Sequence, residues 1–302
     1  MPKKLFTYLF FTLVTFGGIS QTKNNANLLG SFPFTFTPKN NIAVQAILNK
    51  KDTVSLMLHT AAESITLIKD SAAKTTSVQW NTEDTVESWG GKSTSRHSNS
   101  NTLQIGDFNW ENLPIWENKN SGPGTDGKFG PSLFKGKALH ISFTNHKITV
   151  YKTIPKKIKG YKKIPLNYKD GFMFLGGESS IASKKYENSF LIHSGYTGFI
   201  LFDDDFAKTN TLDSLLKIID TKELKDSYGN VLKTQKAILP KFKVGKTTFK
   251  NVPIGFFKGA IAKQSMSVVG TDFLKRFDFY ISANRKFTYL KPNRNYNLPY
   301  GK

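Results

Sequence analysis

DTVSLMLHTAAESITLI (residues 52–68) and NSFLIHSGYTGFILFDDDF (residues 188–206) share one design. Each starts as an apolar run, reaches a histidine, passes two small residues and resumes as a second apolar run. The runs are rich in Val, Ile, Leu and Phe and are short, which predicts buried strands flanking a tight loop. The loops are His59-Thr60-Ala61 and His193-Ser194-Gly195, with the histidine in the same place both times.

Working outward, more of the chain repeats. IGDFNWENLPI (105–115) lies over VGKTTFKNVPI (244–254), matching Gly106 with Gly245, Asn112 with Asn251, Pro114 with Pro253 and Ile115 with Ile254. Further on, FGPSLFKGKALHISFTNHKITVY lies over VGTDFLKRFDFYISANRKFTYL, matching Gly130 with Gly270, Lys135 with Lys275 and Ile141 with Ile281. Three landmarks recur in the same order at nearly constant spacing, which predicts a duplicated architecture. Other runs of strand character are 42–48, 138–143, 147–152 and 277–282, separated by Gly, Asn, Asp or Pro turns. The clearest amphipathic helix pattern is TNTLDSLLKIIDT, with Leu212, Leu215, Leu216 and Ile219 at helical spacing. The expectation is a mainly β protein with a few short helices.

The N-terminus MPKKLFTYLFFTLVTFGGISQTK carries Lys3 and Lys4, an apolar run from Leu5 to Phe16, and small residues Gly18 and Ser20 ahead of Gln21. That is the layout of a secretory signal peptide over residues 1–20, and the run is shorter than the ~20 residues a membrane-spanning helix needs. Export to the periplasm or cell exterior is expected, with no membrane insertion once the signal is removed. The chain has no cysteine, so neither disulfides nor a lipid-modified cysteine contribute. Its 302 residues allow two lobes, assigned to 21–155 and 156–302. The 43 Lys and Arg against 22 Asp and Glu give a net charge of +21, which favours anionic surfaces or acidic polymers. The lysines are scattered and form no nucleic-acid-binding motif, so nucleic acid is not an expected partner. Nothing in the sequence speaks to oligomeric state.

A duplicated strand, small-residue loop and strand, followed in each half by an apolar, apolar, Gly segment and a short helix, resembles the aspartic peptidases of the pepsin and retropepsin type, in particular the two-lobed exported bacterial forms. The resemblance covers about Asn41 to Asn293, and its later segments are DGKFGPSLF and SVVGTDFL. It implies a two-lobed, mainly β fold with a cleft between lobes that takes peptide or protein, no cofactor, and a flap in VESWGGKSTSRHSNSNTLQIG with Trp89, Gly90 and Gly91 at its base. Trp89 reads equally as a residue closing over a ligand and as an anchor for the hairpin. KDSYGNVLK is the weaker counterpart in the second half. By the same resemblance Thr60, Ala61, Ser194 and Gly195 line the site, Thr60 and Ser194 hydrogen-bond between the loops, and Asp126 is structural.

The family's two aspartates fall on His59 and His193, and its loop glycine in the first half falls on Ala61. Two close carboxylates share a proton, one acting as base and the other as acid. Two imidazoles share no negative charge: doubly protonated they repel, and doubly neutral they activate water poorly. Loss of the peptidase mechanism is the direct expectation, leaving a cleft that binds peptide without cutting it. An imidazole-based acid/base peptidase is an alternative, since both positions hold the same titratable residue. A zinc or copper site is another, with His97 as a speculative further ligand, although no metal is assigned. Glu63 and Asp203, Asp204 and Asp205 follow the loops, and their direction is open at this level. Trp110, Trp116, His140 and His146 read as packing or surface residues. His193-Ser194 also suggests a serine nucleophile, but neighbours in a tight turn seldom face each other and no third group orients them.

Overall fold

The computed structural model describes residues 27–88, 91–120, 124–225, 231–257 and 265–301. The expected signal peptide, Trp89 and Gly90 lie outside the described residues, as do residues 226–230 of KDSYGNVLK. Among the described residues no helix is long and apolar enough to cross a membrane.

The strand leading to the first histidine, Asp52–Leu58, is flanked on both sides. Ile42–Leu48 pairs with it antiparallel and Gly127–Phe129 parallel. The strand leading to the second, Lys184–Ile192, sits likewise between Phe172–Ile181, antiparallel, and Ser267–Val269, parallel. Toward the loops both strands are also covered on both faces, so there the alternation gives way to a continuous apolar run. Leu56, Met57 and Leu58 are all buried, as are Phe190, Leu191 and Ile192.

Beyond the loops the two halves continue in step. Ile65–Ile68 runs parallel to Phe108–Asn118 with Ile65 opposite Ile115, and Ile200–Leu201 runs parallel to Thr247–Phe257 with Ile200 opposite Ile254. Long hairpins follow the same plan, Thr82–Ser88 with Gly91–Ile105 and Ile218–Lys225 with Val231–Val244. Each half closes on itself, by Ile47 opposite Gln104 in one and Ser179 opposite Phe242 in the other. The repeated turn residues have a backbone reason. Gly106 and Gly245 have φ of 56° and 57°, and Asn112 and Asn251 have φ of 55° and 51°. Glycine and asparagine are the residues that enter this left-handed region at least cost.

The halves join through an antiparallel seam, Ala138–Ser142 against Phe277–Ile281, with His140 opposite Tyr280. Lys147–Tyr151 and Leu28–Pro33 extend the sheet on one side, Phe287–Pro292 and Lys162–Lys169 on the other. Leu139, Ile141, Ile148, Val150, Phe279 and Ile281 face inward from this sheet into one core shared by both halves. The architecture is therefore mainly β, two-lobed and internally duplicated.

One expected element is different. The helical pattern of residues 209–221 yields only a four-residue helix, Leu212–Leu215. The chain enters it from Thr211 at φ 46°, and Ile218–Lys225 is an edge strand beside Val231–Val244. Leu212 and Leu216 reach the core while Leu215 and Ile219 are exposed, so the apolar stripe is not one buried face. Paired isoleucines beside an available strand favour extended chain.

Candidate functional site

The two loops are placed by the parallel strands beneath them. His59 N–H donates to the Phe129 carbonyl and His193 N–H to the Val269 carbonyl, both at 2.9 Å. Gly130 and Gly270 then pass directly under the loops. A β-carbon on Gly130 would lie 1.7 Å from the Ala62 carbonyl oxygen, and one on Gly270 would lie 2.2 Å from that of Gly198 and 2.4 Å from that of Tyr196. Only glycine permits this approach, which is why an apolar, apolar, Gly segment recurs at both places in the sequence.

Across the molecular midline the loops grip each other. Thr60 N–H donates to Ser194 Oγ and Ser194 N–H to Thr60 Oγ1, each at 2.9 Å. The hydroxyls donate onward, Thr60 Oγ1 to the Ile192 carbonyl and Ser194 Oγ to the Leu58 carbonyl, each at 2.6 Å. Both side chains are 2% exposed, so neither hydroxyl is left for a ligand. Asn41 Nδ2 and Thr271 Oγ1 add donations to the Ser194 carbonyl at 2.9 and 2.8 Å. These two holding residues carry no motif of their own in the sequence.

This grip brings the histidine rings together, with centroids 4.5 Å apart and planes at 62°. Tyr196 N–H donates to His193 Nδ1 at 2.9 Å, so the proton of the neutral ring sits on Nε2. His59 as a whole is half-buried, yet its Nδ1 is sealed from solvent and has no hydrogen-bond partner among the described residues. Its Cδ2 and Nε2 edge lies against Gly195, where a β-carbon would come within 2.4 Å. Burial drives the His193 pKa down to about 4, with Lys128 adding to the effect. Burial, then His193, then Lys128, hold His59 well below the usual imidazole range. At neutral pH the pair is therefore uncharged, and the charged side chain acting on both rings is a cation.

The nearby carboxylates are engaged elsewhere. Glu63 packs onto Gly171 in the second half, where a β-carbon would overlap its Oε1. Asp203 caps the helix Asp204–Thr209, accepting from Phe206 N–H at 2.7 Å, and also accepts from Ser267 Oγ at 2.6 Å. Asp126 accepts from Ser55 N–H and Ser71 Oγ, both at 2.7 Å, which ties the strand Asp52–Leu58 to the short helix Lys69–Lys74. His97 stacks on Trp116 at 5.6 Å, meets Thr82 Oγ1 at 2.8 Å and lies 3.3 Å from Asp84 Oδ2. Among the described residues no group of three or more His, Asp or Glu is arranged to hold a metal ion. Ala61 packs against a cluster of Leu191, Leu201, Phe257 and Val268 in the second half. Gly91 opens a strand of the first hairpin. His140 stacks on Tyr280 at 4.1 Å, and Trp110 donates to the Leu133 carbonyl at 2.9 Å, both as packing residues.

Lys128 was not singled out from the sequence. A signal for it was there: the repeat that matches Gly130 with Gly270 sets Lys128 over Val268, a charge where the other half has an apolar residue.

Neither a protein-family model nor a curated protein matches the sequence. Among solved structures, the chain is similar to an aspartic proteinase from Irpex lacteus, with a TM-score of 0.58 and 14% identity, covering 89% of this chain and 98% of that one. At that identity the likeness is one of fold: this chain has an aspartic-proteinase fold.

Proposed function

We propose that this is an exported protein that binds extended peptide in the groove between its lobes and does not cut it. The observation that carries the reading is the pair of neutral imidazoles, 4.5 Å apart, held by the crossed loops. Acid/base cleavage of a peptide needs a group that takes a proton from water near working pH and a second that gives one. His193, lowered to about 4, is a weak base at pH 7, and His59 is lowered in the same direction. Lys128 opposes the anionic character a carboxylate pair would have. What survives is a surface for an extended chain, with long hairpins in both halves whose edges offer backbone hydrogen bonds.

The test is to incubate the chain from Gln21 onward with a mixed peptide library from acid to neutral pH. Retained and released peptides are then read by mass spectrometry, beside a His59→Ala/His193→Ala control. Peptides retained intact across the range are the expected result. Cleavage products that vanish in the control would overturn the proposal and establish an imidazole-based peptidase. Such activity would be confined to acid, where one buried ring is charged and the other neutral.

A further inference from the structure

The short helices that follow Gly130 and Gly270 are anchored in different ways. The second, Thr271–Leu274, is held within its own half. Arg276, 1% exposed, donates to the Asp272, Tyr296 and Leu298 carbonyls at 2.8, 2.9 and 2.7 Å and to Asp272 Oδ1 at 3.2 Å. In the register that matches Gly130 with Gly270, Arg276 falls on Gly136, so the first half has no arginine of its own at this place. The helix there, Pro131–Phe134, is held instead by Arg285 of the second half. The Arg285 guanidinium, 6% exposed, donates to the Pro131 and Phe134 carbonyls at 3.1 and 2.9 Å, and to the Lys137 and Ser282 carbonyls at 2.9 and 3.1 Å.

We propose that Arg285 is the positioning residue of the first histidine loop, holding His59 in place beside His193 through the helix Pro131–Phe134. The links between them are direct. Gly130, which caps the helix, packs under the Ala62 carbonyl. Ser132 Oγ, inside the helix, donates to the Glu63 carbonyl at 2.7 Å, and the Phe129 carbonyl accepts from His59 N–H. Two features say that the arginine is there for its side chain. It sits in the turn between Phe277–Ile281 and Phe287–Pro292 at φ 58°, where glycine or asparagine costs less. Its four described acceptors are all carbonyls, with no carboxylate among them, a costly way to bury a charge. The diverging N–H groups of a guanidinium can span carbonyls on both sides of the seam at once, and a single ammonium cannot. The bracing is reciprocal, since Asn41 of the first half donates to the Ser194 carbonyl beside His193. Neither histidine is therefore placed by its own half alone.

The test reads the two rings separately and needs no ligand. Ring signals of the chain's five histidines are followed by NMR from neutral to acid pH, with His59 and His193 assigned from His59→Phe and His193→Phe. In Arg285→Gln the loosened loop should admit water to His59 and raise its titration midpoint by about one pH unit, while that of His193 moves little. Arg285→Lys should fall between this variant and the wild type. Ser132→Ala, which cuts only the tie to the Glu63 carbonyl, should shift His59 in the same direction by less. These two milder variants decide the matter where Arg285→Gln does not fold. A lowered melting temperature with both rings unchanged overturns the inference and leaves Arg285 a merely structural residue. Equal movement of both rings, or full rescue by lysine, overturns it as well. On the peptide-binding reading above, Arg285→Gln should also retain library peptides roughly fivefold less than the wild type. A wild type that retains none would overturn that reading and leave the ring signals to judge the role of Arg285.

Discussion

The loops 59–62 and 193–196 have the same scaffold and differ in how each treats its own histidine. In the second, the turn folds back so that Tyr196 N–H reaches His193 Nδ1. The N–H three residues on reaches the histidine carbonyl in both loops, at 3.0 Å from Ala62 and 3.1 Å from Tyr196, but in the first the ring nitrogen Nδ1 is left sealed and without a partner among the described residues. The second residue after each histidine differs as well. Gly195 makes room for the edge of the His59 ring, whereas the methyl group of Ala61 packs into apolar side chains of the opposite half. The lesson is that duplication preserved the backbone frame strictly and the side chains at its centre loosely.

The largest effect should come from the shared frame. Gly130→Ala and Gly270→Ala each push a β-carbon into backbone carbonyls that have nowhere to move. Each should cost about 3 kcal/mol in urea unfolding. A loss confined to one of the two would break the claim that the frames are equivalent.

Next comes the histidine pair. His193 has a folded pKa of about 4 against an ordinary 6.5, so between these values the unfolded chain binds more protons. Its contribution is fully present above about pH 6.5 and is lost as pH falls through that window toward 4, amounting to about 3 kcal/mol. His59 acts in the same direction. Thermal unfolding from pH 7 to pH 4 should therefore fall more steeply in the wild type than in His59→Phe or His193→Phe. At pH 7, His59→Phe should be slightly the better tolerated of the two, because it removes a nitrogen without a partner among the described residues, while His193→Phe removes one of the two acceptors of Tyr196 N–H and leaves it the carbonyl of residue 193. Equal stability of the two at pH 7 would erase that difference between the loops.

The smallest effect should come from exchanging the residues two positions after each histidine. Gly195→Ala crowds a ring that has some freedom to shift and should cost about 1–2 kcal/mol. Ala61→Gly gives up a small apolar contact and adds chain freedom, costing about 0.5–1 kcal/mol. Thermal unfolding of the two single variants checks the order.

Much of this was legible in the sequence because it is written in residues with backbone consequences. Gly106 with Gly245, and Asn112 with Asn251, matched because those positions need a left-handed backbone. Gly130 matched Gly270 because a carbonyl lies where a side chain would be. Other matches were less informative: Lys135 is exposed, whereas Lys275 is buried 3.1 Å from Asp272. The direction of Glu63 and Asp203 depended on partners far along the chain, and so did the fate of residues 209–221, where pairing with a strand overrode helical spacing. Lys128 was overlooked because a single lysine in a basic chain stands out only against its counterpart in the other half.

The grip between Thr60 and Ser194 also dictates an order of folding. Its partners are 134 residues apart in the chain, a separation that makes such contacts slow to form. During synthesis the first half emerges with the Thr60 N–H and the Leu58 carbonyl waiting for a serine that has yet to be made. The first loop acquires its final shape only when the second arrives. The grip thus exists only where both halves have folded, and its presence certifies that they have.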